Sequence, residues 1–98
     1  MRYRFGDYEL DETRYELTRN SEHVHVQPQV LDLLLFLLRE PGRLISRDEI
    51  IEAVWQGRAI SDSTINSRIK AARQAVGDDG RRQTSIQTVP RRGLRFVA

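Results

Sequence analysis

At 98 residues the chain holds one compact domain and not two. Its formal charge is only +2, from 16 basic and 14 acidic side chains, and it has no cysteine, which excludes a polycation, disulfides, zinc fingers and thiol chemistry. The longest apolar run, Val30 to Leu38, is nine residues and contains Asp32, too short to span a bilayer, and Met1-Arg2-Tyr3-Arg4-Phe5 does not read as a signal peptide. The charge is unevenly spread: residues 1–40 hold 5 basic and 8 acidic side chains, residues 41–98 hold 11 and 6. Such asymmetry points to a polyanion-facing second part. All the basic residues but Lys70 are arginine, whose planar fork suits phosphates and guanine edges.

Residues 2–26 alternate apolar and polar side chains in short runs. Tyr3 and Phe5, Tyr8 and Leu10, Tyr15 and Leu17, and Val24 and Val26 are separated by turn signals at Gly6-Asp7 and Asn20-Ser21. This predicts an antiparallel meander of about four strands with one solvated face. Pro28 suits the first turn of a helix, and the dense apolar run that follows predicts a central helix ending at Pro41-Gly42. Leu44-Ile45 is long enough only for a very short strand. Ser46 and Glu49 have capping-box spacing, and Ile50, Ile51, Val54 and Trp55 give a second helix its buried face before Gln56-Gly57. Ser61-Asp62 opens a third helix, in which Ile65, Ile69, Ala72 and Val76 form one stripe and Gly77 is the C-terminal cap. Residues 85–97 read as a hairpin, Ile86–Val89 and Leu94–Val97 about a Pro90-Arg91-Arg92-Gly93 turn.

On a helical wheel of about 100° per residue, Ser63, Ser67, Lys70, Ala71 and Gln74 fall opposite the apolar stripe of the third helix, flanked by Thr64 and Asn66. That face is small, polar and free of carboxylates. Arg68 and Arg73 lie at the margins of the stripe, where long stems reach outward. Such a face suits a major groove, where short polar side chains approach base edges. Arg91 and Arg92 at the hairpin tip suit the negative potential of a narrow minor groove.

Three helices followed by a basic hairpin form a winged helix-turn-helix, and the sequence resembles the OmpR/PhoB-type DNA-binding domain from about Phe5 to Val97. The matching residues are the apolar helix after Pro28, Ser46-Arg47-Asp48-Glu49, Val54-Trp55, Asp62 to Val76 with Thr64, Ile69 and Arg73, and Ile86-Gln87-Thr88-Val89 with Gly93-Leu94-Arg95-Phe96. Leu94 stands where the family usually has Tyr, Ala71 and Pro90 where members carry Arg. The resemblance implies an α+β fold: an N-terminal four-stranded antiparallel sheet (2–26), three helices (28–77) and a C-terminal wing (85–97). It implies sequence-specific binding of double-stranded DNA by a bacterial transcriptional regulator. The recognition helix 62–76 would lie in the major groove and the wing tip 90–93 toward the minor groove. The implied DNA-contacting residues are Trp55, Ser63, Thr64, Asn66, Ser67, Arg68, Lys70, Ala71, Arg73, Gln74, Thr88, Arg91 and Arg92, with Thr64 on a phosphate. Trp55 reads equally as a core residue, and the two roles are compatible.

The resemblance further implies tandem half-sites, self-association on DNA, contact with RNA polymerase and a cytoplasmic location for this domain, the full-length protein being either a membrane-anchored or a soluble sensor. With Met1 leading straight into the first strand, the arrangement is similar to ToxR/CadC proteins, with a sensory or regulatory region expected beyond residue 98. No cofactor, metal or catalytic residue is expected. An enzyme would need more than His23 and His25, two apart on one strand with only Glu22 close by. The other alternative is a winged helix that binds protein and not DNA. Binding to random duplex across a salt series separates these readings.

Overall fold

The computed structural model describes all residues, Met1–Ala98. Four strands come first: β1 (Arg2–Phe5), β2 (Tyr8–Asp11), β3 (Glu16–Arg19) and β4 (Glu22–Val24). Three helices follow, α1 (Pro28–Arg39), α2 (Arg47–Trp55) and α3 (Asp62–Ala75), then a hairpin of β5 (Ile86–Val89) and β6 (Gly93–Phe96). The N-terminal strands form an antiparallel meander in sequential order. Their register places Tyr3, Leu10, Leu17 and Val24 in one row across the sheet. Leu10 and Leu17 are buried there, and Tyr3 and Val24 close the ends of the row. A period-two pattern with one apolar row needs a single covering layer; Leu10 and Leu17 share one core with the leucines of α1, and the Tyr15–Asp32 and Arg39–Glu12 contacts tie that helix to the meander.

Seven residues of α1 are buried: Val30, Leu31, Leu33, Leu34, Leu35, Leu37 and Leu38. A helix apolar on nearly every side has to be central, and α1 contacts both α2 and α3. The Ser46 hydroxyl accepts from Glu49 N–H while the Glu49 carboxylate accepts from Ser46 N–H, which fixes the start of α2. Ser61 caps α3 by accepting from Thr64 N–H.

Ile45 joins the hairpin as a third, one-residue strand. Its N–H donates to Leu94 O at 2.7 Å and its carbonyl accepts from Leu94 N–H at 2.9 Å. Phe96 continues the attachment, meeting Phe5 edge-on at 5.2 Å. The wing is thus anchored to the domain at its base and free at its tip.

Local readings shift in three places. Tyr15 is not in a strand: it sits in the β2–β3 turn at φ +54°, its hydroxyl 2.6 Å from the Asp32 carboxylate of α1. β4 ends at Val24, so His25 and Val26 belong to a linker. Gly93 begins β6 rather than serving the turn. A Cβ there would lie 1.9 Å from Ile45 O, so glycine is required by the closeness of the third strand.

Candidate nucleic-acid interface

The outward face of α3 matches the wheel. Ser63, Asn66, Ser67, Lys70 and Gln74 are exposed, Thr64 and Ala71 half-buried, and Ile65, Ala72 and Val76 buried. Ser61 Oγ lies 3.2 Å from Ser63 Oγ and 2.9 Å from Thr64 Oγ1, so three hydroxyls cluster at the first turn. The positive end of the helix dipole and these hydroxyls favour an anion at the same place.

A cleft of about 490 Å³ runs between α3, the start of α2 and the wing, lined by Ser46, Arg47, Asn66, Ile69, Thr88, Arg91 and Arg92 among others. Arg91 and Arg92 are exposed. Arg2, Arg4, Arg14, Arg39, Arg43, Arg47 and Arg82 are held in ion pairs, whereas Lys70, Arg91 and Arg92 are among the cations with no carboxylate partner. Lys70 on the outward ridge of α3 and Arg91 and Arg92 at the wing tip are thus exposed and uncompensated.

Arg73 corrects one expectation. Its stem does not reach outward: the residue is 8% exposed, and its guanidinium donates to Ile86 O at 3.1 Å and to the Thr88 hydroxyl. A wheel places Arg73 at the margin of the stripe but cannot show that the wing packs over that margin. Arg68 is turned toward α1, donating to Gln29 Oε1 at 2.9 Å. Trp55 is 5% exposed and part of the core, leaving little of its indole at the surface. The remaining expected residues, Ser63, Thr64, Asn66, Ser67, Lys70, Ala71, Gln74, Thr88, Arg91 and Arg92, lie on α3's outer side or on the wing.

The loop from α3 to β5 is held by Asp78, which is 4% exposed. Its carboxylate accepts from the N–H groups of Asp79, Thr84, Ser85 and Ile86 and from the Thr84 hydroxyl. Burial works to raise its pKa, but the backbone donors outweigh it and hold the group well below the usual carboxylate range. Asp78 and Arg73 together fix where the wing stands relative to α3.

Sequence reasoning missed Arg47. It is the first residue of α2, where a cation opposes the helix dipole. Its guanidinium pairs with Asp62, the first residue of α3. That pairing offsets the one carboxylate at the entry of α3 and ties the two helix starts together. The available signal was the misplaced charge itself.

The family model described as "Transcriptional regulatory protein, C terminal" matches residues 20–96. The chain belongs to this family. It is the OmpR/PhoB-type winged-helix DNA-binding domain of a transcriptional regulator. The chain is 33% identical over 94 residues to the DNA-binding response regulator MtrA of Mycobacterium leprae, covering 95% of this chain and 41% of MtrA. It is 28% identical over 95 residues to the transcriptional activator CadC of Escherichia coli K12, covering 96% of this chain and 19% of CadC. The chain thus spans less than half the length of these relatives. The Klebsiella pneumoniae RstA DNA-binding domain, solved in complex with the RstA box, superposes with a TM-score of 0.86 at 21% identity, covering 98% of this chain and 96% of that one. That likeness shares the fold.

Proposed function

We propose that α3 enters the major groove of an operator, with Asn66, Ser67 and Lys70 nearest the bases, and that Arg91 or Arg92 enters the adjacent minor groove. The carrying observation is the exposed ridge of α3, free of carboxylates except the paired Asp62, beside a wing tip whose two guanidiniums lack acidic partners. Thr64, with Ser61 and Ser63, holds a phosphate at the first turn, and Thr88, bonded to Arg73, lies along the same cleft. Ala71 is open to a thymine methyl and not to a guanine. In this reading Arg68, Arg73 and Trp55 act chiefly by fixing α3 and the wing, and Gln74 stands at the far end of the ridge.

The module is a binding unit, not an enzyme. One recognition helix gives a small footprint and weak affinity for a single half-site. We therefore read the chain as a monomer in solution and two copies on tandem half-sites. In a cytoplasmic regulator, a separate signal-receiving region and contact with RNA polymerase complete the function. RstA, as solved with its box, supports the DNA-bound reading by its fold.

The test begins with a duplex selected by the chain from a random pool. Replacing Asn66, Ser67 and Lys70 together by Ala should cost about 1 kcal/mol or more of affinity and relax sequence preference. Unchanged affinity and preference reject the placement. Arg91→Ala/Arg92→Ala should lower the salt slope by about one to two units, and equal slopes reject wing contact. A stable dimer at low micromolar concentration without DNA rejects assembly on the operator.

A further inference from the structure

The histidines fit neither the core nor the wing cleft. His23 lies on the sheet, its Nδ1 3.9 Å from Glu16. His25, two residues on, is off the strand, in the linker between β4 and α1. It is exposed, and with Val24, Val26, Gln27 and Val30 it forms one wall of a trough of about 450 Å³. The other wall is α3, through Ser67, Arg68, Ala71, Gln74 and Ala75. No carboxylate lines the trough. Gln27 stands at the N-cap of α1, yet its side chain does not cap the helix, which leaves its amide unengaged there.

The two clefts beside α3 are set on opposite sides of its exposed ridge. With Ile65 at zero and about 100° per residue, the α3 residues of the wing cleft (Ile65, Asn66, Ile69, Arg73) fall between roughly 0° and 100°. Those of the linker trough fall between roughly 180° and 300°. Lys70 and Ser63 lie between them, and Asn66 on one side and Ser67 and Gln74 on the other are the ridge residues that border each cleft. A helix seated in a major groove has a phosphodiester strand on each side, because the groove is only about 12 Å wide. One strand therefore meets the wing side. The other must pass the linker trough, whose linker-side donors are His25 and Gln27, facing Ser67 and Gln74 of α3.

We propose that the β4–α1 linker is a second DNA-backbone contact, with His25 and Gln27 donating to phosphates on the side of the major groove away from the wing. An imidazole always carries an N–H donor, and a glutamine amide carries two. Both can reach a phosphate without a fixed positive charge that would repel Arg68. The inference rests on α3 entering the groove. It adds the second wall of that groove, assembled from a segment the wheel does not include.

The experiment uses the intact chain and a duplex that it selects from a random-sequence pool. His25→Glu, His25→Lys and Gln27→Glu are compared with His23→Glu, which makes the same charge change two residues away on the sheet. Thermal unfolding confirms that each variant is folded. His25→Glu and Gln27→Glu should each lower affinity about tenfold, and His25→Lys should raise it and steepen the salt slope by about one unit. His23→Glu should change affinity less than about twofold, as befits a charge felt only through screened solvent. Equal losses from His25→Glu and His23→Glu, or an unchanged slope for His25→Lys, overturn the proposal while leaving the major-groove reading standing. A parent chain that selects no duplex overturns that reading and this inference with it.

Discussion

Arg73 on the recognition helix and Thr88 on the first wing strand are joined by a hydrogen bond, and the same guanidinium reaches Ile86 O. The element that reads the major groove and the element that reaches the minor groove are therefore coupled through one side chain. Two contacts from a charged donor that is nearly buried should each be worth more than an exposed pair. Arg73→Met should destabilise the fold by about 1–3 kcal/mol in urea unfolding. A double-mutant cycle with Thr88→Val should give a coupling of about 1 kcal/mol. A coupling of zero would show that the bond contributes nothing to holding the wing.

Gly93 tests the anchoring of the wing base. Its φ is +140°, and a Cβ would sit 1.9 Å from Ile45 O, an atom of the backbone that cannot step aside. Gly93→Ala must therefore separate Ile45 from β6 or distort the strand, breaking the paired bonds between Ile45 and Leu94. The expected loss is about 3 kcal/mol in denaturant unfolding. Ordinary stability with an intact Ile45–Leu94 pairing by NMR would refute the close-approach account.

Asp78 gives the fold an acid sensitivity of definite sign. Its folded pKa is depressed below the ordinary 3.8. Its contribution is therefore present at every pH above about that value and is lost as pH falls from there toward the folded pKa. Asp78→Asn keeps one acceptor oxygen and places an amide donor against N–H donors. It should cost about 2–3 kcal/mol at neutral pH. Glu49 and Asp79 are also held low by backbone donors, so the parent's total acid loss has several sources. The informative quantity is the difference between parent and variant. It should shrink as pH falls below about 4, and a difference constant from pH 7 to pH 2 would contradict the assignment.

The outward stripe of α3 is legible in the sequence because helical periodicity is local: Ile65, Ala72 and Val76 fix the buried side, and Ser63, Ser67 and Lys70 follow from it. The meander is legible for the same reason, through the Tyr3, Leu10, Leu17 and Val24 row. The orientation of Arg73 is not, since only the return of the chain thirteen residues later, at Ile86, places a carbonyl against its guanidinium. Arg47 and Asp62 meet across the turn between two helices, a relation no periodicity contains. Gly93 reads as turn chemistry from its neighbours, yet its reason lies in Ile45, far back in the chain. Where a residue's role is set by a distant partner, local pattern names the candidate and misstates its function.

The wing tip carries strain where a DNA contact is proposed. Arg92 N–H donates to Val89 O at 3.0 Å, and Arg91 adopts φ +65°. With Pro90 before it, Arg91 stands at the third position of a type II-like turn, where glycine is the usual residue. The left-handed conformation costs a side chain about 1–2 kcal/mol, whereas glycine loses about 0.5–1 kcal/mol more chain entropy on folding. Arg91→Gly should therefore stabilise the domain by roughly 0.5–1 kcal/mol, the excess of the first cost over the second. Arg92 has no positive φ, so Arg92→Gly should be neutral or destabilising. Folding alone thus favours glycine at 91, and what favours arginine has to be found outside the folded chain. If that is the DNA backbone, Arg91→Gly should raise the unfolding midpoint while weakening operator binding and lowering the salt slope by about one unit. Denaturation and a salt-titrated binding assay on the same preparation measure both. A variant that gains stability and binds as well as the parent would remove Arg91 from the interface and leave its strain without a function.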